Sequence, residues 1–151
     1  MRFSWMLILL IAPFSYGQDT ETMAVQHTIE RFFEGFHQQD STKIKSTTGR
    51  DIILQTITKK NDGNNEVRTD VFSQFLKSIV SIPDSIGFRE EIRSYQIRID
   101  GPMANAWTPY KFWLNEEFSH CGVNSFQLVK GREGWKIIYL IDTRRKEDCP
   151  E

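Results

Sequence analysis

Val25, Ile29, Phe32, Phe33 and Phe36 recur at helical spacing in the stretch TETMAVQHTIERFFEGFHQQD, so the spacing predicts a long amphipathic first helix. Asp19 and Glu21 stand where the dipole at its start favours negative charge. Residues 41–47 add a short helical turn; DIILQTITKK then reads as a strand, NDGNN as a turn and EVRT as a short return strand. Thr69 is placed to cap a helix over DVFSQFLKSIV, whose Val71, Phe72, Phe75, Leu76, Ile79 and Val80 form one apolar stripe, and SIPDS ends it with Pro83. From Glu90 onward the period changes to two. EIRSYQIRID, NAWTPYKFWLN, CGVNSFQLVK and WKIIYLIDTR are strand-like runs punctuated by GPM, EEF and GREG, the pattern of consecutive antiparallel hairpins. Helices first and a meander last predict an α+β domain with a curved, mainly antiparallel sheet wrapped over N-terminal helices.

The meander can be carried to a register. With Arg132 and Glu133 as the loop, Lys130 faces Trp135, Leu128 faces Ile137, Phe126 faces Tyr139 and Asn124 faces Ile141 on a largely apolar face. The other, mixed face pairs Val123 with Asp142. A further loop at Glu116 and Glu117 sets Trp113 opposite His120 and Trp107 opposite Phe126. On that register His120 and Asn124 are the polar members of an aromatic wall, and Tyr110, Phe112 and Ile138 lie on the mixed face. A slip of one residue exchanges the faces.

Charge changes the picture little: 19 basic against 20 acidic residues provide no global field for nucleic acid or an anionic membrane. Arg144, Arg145 and Lys146 are too few to argue otherwise. The N-terminus changes it more. Arg2, the apolar run Trp5 to Ala12, Pro13, and the small residues Ser15 and Gly17 form a signal peptide over 1–17, with cleavage before Gln18 and the domain over 18–151. The run is far short of the ~20 apolar residues needed to span a bilayer, so no membrane anchor is expected after cleavage. The expected location is periplasmic or extracellular. There, Cys121 and Cys149 are most simply a disulfide, worth roughly 3 to 4 kcal/mol in the chain-entropy description. His27, His37 and His120 lack paired ligand spacing; no metal and no cofactor are expected.

The segments FFEGFHQQD, DIILQT, IDGPMANAWTPYKFW, FSHCGVNSFQLVK and GWKIIYLIDTRRKEDC together resemble the exported nuclear transport factor 2-like proteins of Bacteroidetes-type bacteria. These share a cone fold with ketosteroid isomerase, scytalone dehydratase and polyketide cyclase-like domains. The resemblance covers essentially the whole of 18–151. It implies a strongly bent mixed sheet around the helices and a pocket in the mouth of the cone, but no single activity.

Three functions follow. The first is an exported small-molecule-binding domain whose ligand contacts are Trp107, Trp113, His120, Asn124 and Tyr139. The second is a protein-interaction or homodimerisation module using the outer sheet face. The third is an isomerase- or dehydratase-type enzyme with His120 as acid or base and Asn124 or Tyr139 as donor. Each residue also has a plainer role. His120 can pack on Trp113, Asn124 can bond backbone at a bulge, the aromatics can be core, His37 can answer the helix dipole, and Asp142 can form a surface ion pair with the arginines after it.

Overall fold

The computed structural model describes residues 15–60 and 62–149. Of the expected signal peptide, residues 1–14 lie outside the described residues. Helix α1, Ser15–His37, packs Val25, Ile29, Phe32 and Phe33 into the core, as its periodicity required. Because α1 begins at Ser15, Asp19 and Glu21 fall beyond its first turn. Glu21 instead accepts hydrogen bonds from Lys130 Nζ (2.6 Å) and Trp135 Nε1 (3.0 Å), fastening the start of the helix to the last hairpin. Asp40 caps α2, Ser41–Thr47, accepting from the backbone of Thr42 and Lys43 at 2.9 Å each. Gly35 lets the two helices meet: a Cβ there would lie 2.9 Å from the Ile44 nitrogen.

Strands β1, Thr48–Lys59, and β2, Asn65–Asp70, form the first hairpin, followed by α3, Phe72–Val80. Thr69 does not cap α3: it pairs within β2, and Val71 stands at the N-cap without a side-chain bond. The run expected as one strand from Glu91 to Asp100 is two, β3, Phe88–Ile92, and β4, Gln96–Asp100, both paired with β5, Met103–Leu114. Strands β6, Glu117–Gly131, and β7, Gly134–Thr143, complete the seven-stranded sheet in the order β2-β1-β7-β6-β5-β3, with β4 on β5. Only β1 and β7 run parallel. This is the expected α+β architecture: an open, mainly antiparallel sheet with three helices among the described residues and one core of α1, α2, α3 and inward sheet residues such as Phe126, Leu128 and Ile137.

Two register differences decide which side chains face inward. The β5–β6 turn is Asn115–Glu116, both with positive φ (49° and 63°), one residue earlier than expected. That turn alone would keep the expected faces together, with Trp113 opposite Phe118, but a bulge at Ser119 then shifts the register by one, so Phe112 faces His120 and Trp107 faces Ser125. The β6–β7 register holds as expected from Gly131 and Gly134 to Leu128 opposite Ile137, then shifts by one. Ile138 is the extra residue of a bulge. Beyond it Phe126 pairs with Leu140 and Asn124 with Asp142, so Tyr139 and Ile141 leave the inner face and Leu140 and Asp142 enter it.

Candidate functional site

The concave side of the sheet and helices α1 and α3 enclose a cavity of about 560 Å³. Phe32, Phe33 and Phe36 of α1 line it because the helix's apolar stripe is wider than the core can cover. Phe75 and Ile79 of α3 close the opposite side, and Phe88, Phe112 and Leu140 come from the sheet. The phenylalanines form a connected set: Phe75 lies parallel to both Phe32 (6.5 Å, 3°) and Phe36 (6.3 Å, 2°).

A polar group is set into these apolar walls. Asp142 is buried and accepts from Thr56 Oγ1 (2.6 Å), Tyr110 Oη (3.2 Å) and Arg144 Nε (2.9 Å). Tyr110 is itself almost wholly buried and also bonds the Thr143 carbonyl at 2.9 Å; burial, then Asp142, pushes its hydroxyl pKa far up, so it stays a neutral donor. Beside it, Asn124 Nδ2 donates to Glu90 Oε1 at 2.6 Å. Glu90 is half-buried and lines the cavity. Loss of hydration lifts its pKa to about 7, against the lowering hydrogen bond of Asn124 and with a further push from Asp142. Glu90 is thus poised between carboxyl and carboxylate near neutral pH.

Two histidines border this group. His37 Nε2 accepts the backbone N–H of Glu90 at 2.9 Å, so that nitrogen carries no proton; burial and then Arg89 lower the His37 pKa. Its position at the end of α1 therefore does not serve a charge–dipole contact. His120 stacks on Phe112 (4.8 Å, 21°) and meets Tyr110 edge-on; burial and then Arg144 lower its pKa. Near neutral pH both rings are uncharged.

Of the residues expected in the site, His120 and Asn124 line the cavity. Trp107, Trp113 and Tyr139 do not. Trp107 is 46% exposed on the outer face. Trp113 lies on that face too, with its Nε1 3.3 Å from Glu91 Oε2, Phe118 against its edge and Arg89 over its ring. Tyr139 donates to Gln55 Oε1 at 2.6 Å. The bulge at Ser119 expels the two indoles, and the Ile138 bulge expels the phenol. The same changes bring in Tyr110 and Phe112, expected on the mixed face, and Asp142, expected on the surface; Ile138 is exposed. Asp142 left a signal in the sequence, a lone carboxylate in the apolar run IIYLID, where burial demands partners. Glu90 left none beyond its place in a strand.

Cys121 and Cys149 are joined, Cα to Cα 5.6 Å, tying the C-terminal segment beside His120. Gly122 permits the approach: a Cβ there would sit 1.8 Å from the Thr143 carbonyl oxygen. Among the described residues no group of three or more His, Cys, Asp or Glu could hold a metal ion, and no helix is long and apolar enough to cross a membrane.

This open, bent sheet cupped around helices is the cone fold of nuclear transport factor 2-like proteins, which solved structures bear out. A nuclear transport factor 2-like protein of unknown function from Shewanella baltica matches at 14% identity with a TM-score of 0.61, over 88% of this chain and 98% of its own. A proposed dehydratase of the nuclear transport factor 2-like family from Streptomyces avermitilis matches at 12% and 0.64, over 85% and 98%. A proposed scytalone dehydratase from Novosphingobium aromaticivorans matches at 11% and 0.65, over 85% and 86%. No family model and no curated protein matches the chain.

Proposed function

We propose that the protein is an exported domain that binds a small, largely apolar molecule in the cavity between α1, α3 and the sheet. The carrying observation is the cavity itself: about 560 Å³, walled mainly by phenylalanine and aliphatic side chains, with a polar group on the sheet that includes Glu90, Asn124, Asp142, Arg144 and His120. Pockets of this size and composition suit small organic ligands, the apolar wall supplying affinity and a few polar groups fixing orientation. Export is supported by the Cys121–Cys149 disulfide, a bond that persists in oxidising compartments. A mass-spectrometric search for small molecules retained by natively purified protein tests the reading. A retained compound that is lost from Phe112→Trp, which fills the cavity, supports it; a compound retained equally by both proteins refutes its placement.

One observation favours a second reading, acid–base catalysis of the isomerase or dehydratase type. Glu90 sits in the cavity with a carboxyl pKa of about 7, where a group can both give and take a proton. The names of the Streptomyces and Novosphingobium structures point the same way. In this reading Glu90 takes the acid role expected of His120, whose lowered pKa leaves its ring uncharged, a base but not an acid, at neutral pH. Turnover abolished by Glu90→Gln with the ligand still bound separates catalysis from binding.

A further inference from the structure

Within the cavity the charges do not balance. Asp142 is fully occupied: Oδ1 takes the Thr56 hydroxyl, and Oδ2 takes Tyr110 and the Arg144 guanidinium. Arg144 is held to Asp142 through Nε, with its Nη2 3.5 Å from Thr56 Oγ1. Glu90 receives one side-chain hydrogen bond, from neutral Asn124 to Oε1. Its Oε2 has no hydrogen-bond partner among the described residues and is not sealed off, since Thr108 Oγ1 is the one buried side-chain polar atom without a partner there. Oε2 therefore opens to the cavity that Glu90 lines.

Every charged or titratable group packed around Glu90 can be accounted for. From α1, His37 uses its unprotonated Nε2 to accept the Glu90 N–H. On β5, Tyr110 is a neutral donor to Asp142 and Thr143. On β6, His120 is held neutral. At the end of β7, Asp142 and Arg144 neutralise each other. On β3 itself, Arg89 and Glu91 pair at 2.9 Å on the outer face, Arg89 lying over Trp113. Arg144, whose field reaches Glu90, is paired with Asp142, and among the described residues no cation forms an ion pair with Glu90; the apolar wall beside it includes phenylalanines, whose ring faces carry partial negative charge.

We infer that the cavity selects an organic cation, an aryl- or alkyl-amine whose ammonium pairs with Glu90 Oε2 while its apolar body lies against the phenylalanines of α1 and α3. This rests on the cavity being a ligand site. An anionic ligand is disfavoured, because it would face the two carboxyl groups of Glu90 and Asp142 against one guanidinium, Arg144, which already pairs with Asp142. Binding is also proton-linked: where Glu90 is protonated, its proton passes to solvent as the ammonium takes its place, so amine affinity rises with pH through the range near 7 and then levels off.

The test compares three probes on one skeleton, naphthylmethylamine, naphthylmethanol and naphthoate, by titration calorimetry. At about pH 8 the amine is expected to bind about tenfold tighter than the alcohol, the size of effect a close charge pair gives when partly shielded from water, and the carboxylate weakest of all. At about pH 6 the binding heat of the amine, but not of the alcohol, is expected to change with the ionisation heat of the buffer, which reports the released proton. Glu90→Gln is expected to erase both the tenfold preference and the buffer dependence while alcohol binding is retained. If that variant fails to fold, the buffer dependence in the wild-type protein decides. An alcohol or carboxylate that binds as tightly as the amine overturns the ligand class and leaves the cavity reading standing. No binding by any of the three overturns both.

Discussion

Replacing Glu90 with glutamine should make the protein less sensitive to pH, and by a calculable amount. The carboxyl pKa rises from the ordinary 4.5 to about 7 on folding, mainly because the carboxyl is withdrawn from water. The native state thus holds its proton more tightly than the unfolded chain does. By linkage, the native state is favoured most below the unfolded value, loses stability as pH rises through the interval between the two values, and loses no more above the native one. At about 1.36 kcal/mol per pH unit, the interval corresponds to about 3 kcal/mol. The glutamine amide keeps the oxygen that accepts from Asn124 but has no proton to lose. Urea unfolding of the two proteins between about pH 4 and 9 should give curves whose difference grows by about 3 kcal/mol across that window and is flat outside it, equivalent to roughly 6–12 °C in Tm. His37 and His120 titrate in both proteins, so their contribution largely cancels in the difference. Parallel curves would show that Glu90 keeps its hydration in the native state, and would remove the basis for a group poised near neutrality.

Other substitutions probe the packing. Phe126, wholly buried, should cost about 3–5 kcal/mol as Phe126→Ala, whereas half-exposed Trp107→Ala should cost under ~1 kcal/mol; equal losses by chemical denaturation would contradict the assignment of inner and outer faces. Thr108→Val removes a buried hydroxyl without a partner and should leave stability unchanged or raise it; a loss above ~1 kcal/mol would mean the hydroxyl is bonded. The double variant Cys121→Ser, Cys149→Ser should lose about 3 kcal/mol by urea unfolding, following from the 28-residue separation the bond bridges, and the native oxidised protein should show no titratable thiol among the described residues; an unchanged midpoint would contradict this.

Element type was legible in the sequence because each element has a strong period. The stripe Val25, Ile29, Phe32, Phe33, Phe36 could bury itself only as a helix, and the last two hairpins alternate cleanly enough to fix them as strands. Which face of a strand points inward was less accessible, because a period of two is preserved under a one-residue slip. In β5 the face depended on a bulge at Ser119 just after the turn. Asparagine tolerates positive φ better than glutamate, so Asn115 marked the turn, but the turn alone leaves the faces unexchanged. In β7 it depended on a bulge at Ile138, which no local residue announces. The site followed those two choices: His120 and Asn124 line the cavity as expected, while Trp107, Trp113 and Tyr139 gave way to Phe112, Tyr110 and Asp142. The division between β3 and β4 at Arg93, Ser94 and Tyr95 left a trace, since the apolar positions of EIRSYQIRID step by three from Ile92 to Tyr95 before returning to a period of two at Ile97 and Ile99.

The extra residue at position 138 also means that the chemistry of the chamber is controlled from a spot outside it. Closing that bulge with every residue retained would turn the far half of the final ribbon over, sending the carboxylate of Asp142 outward and the side chain of Ile141 inward. The pairing at one outward residue thereby decides between a charged lining and an oily one, with no change in any amino acid.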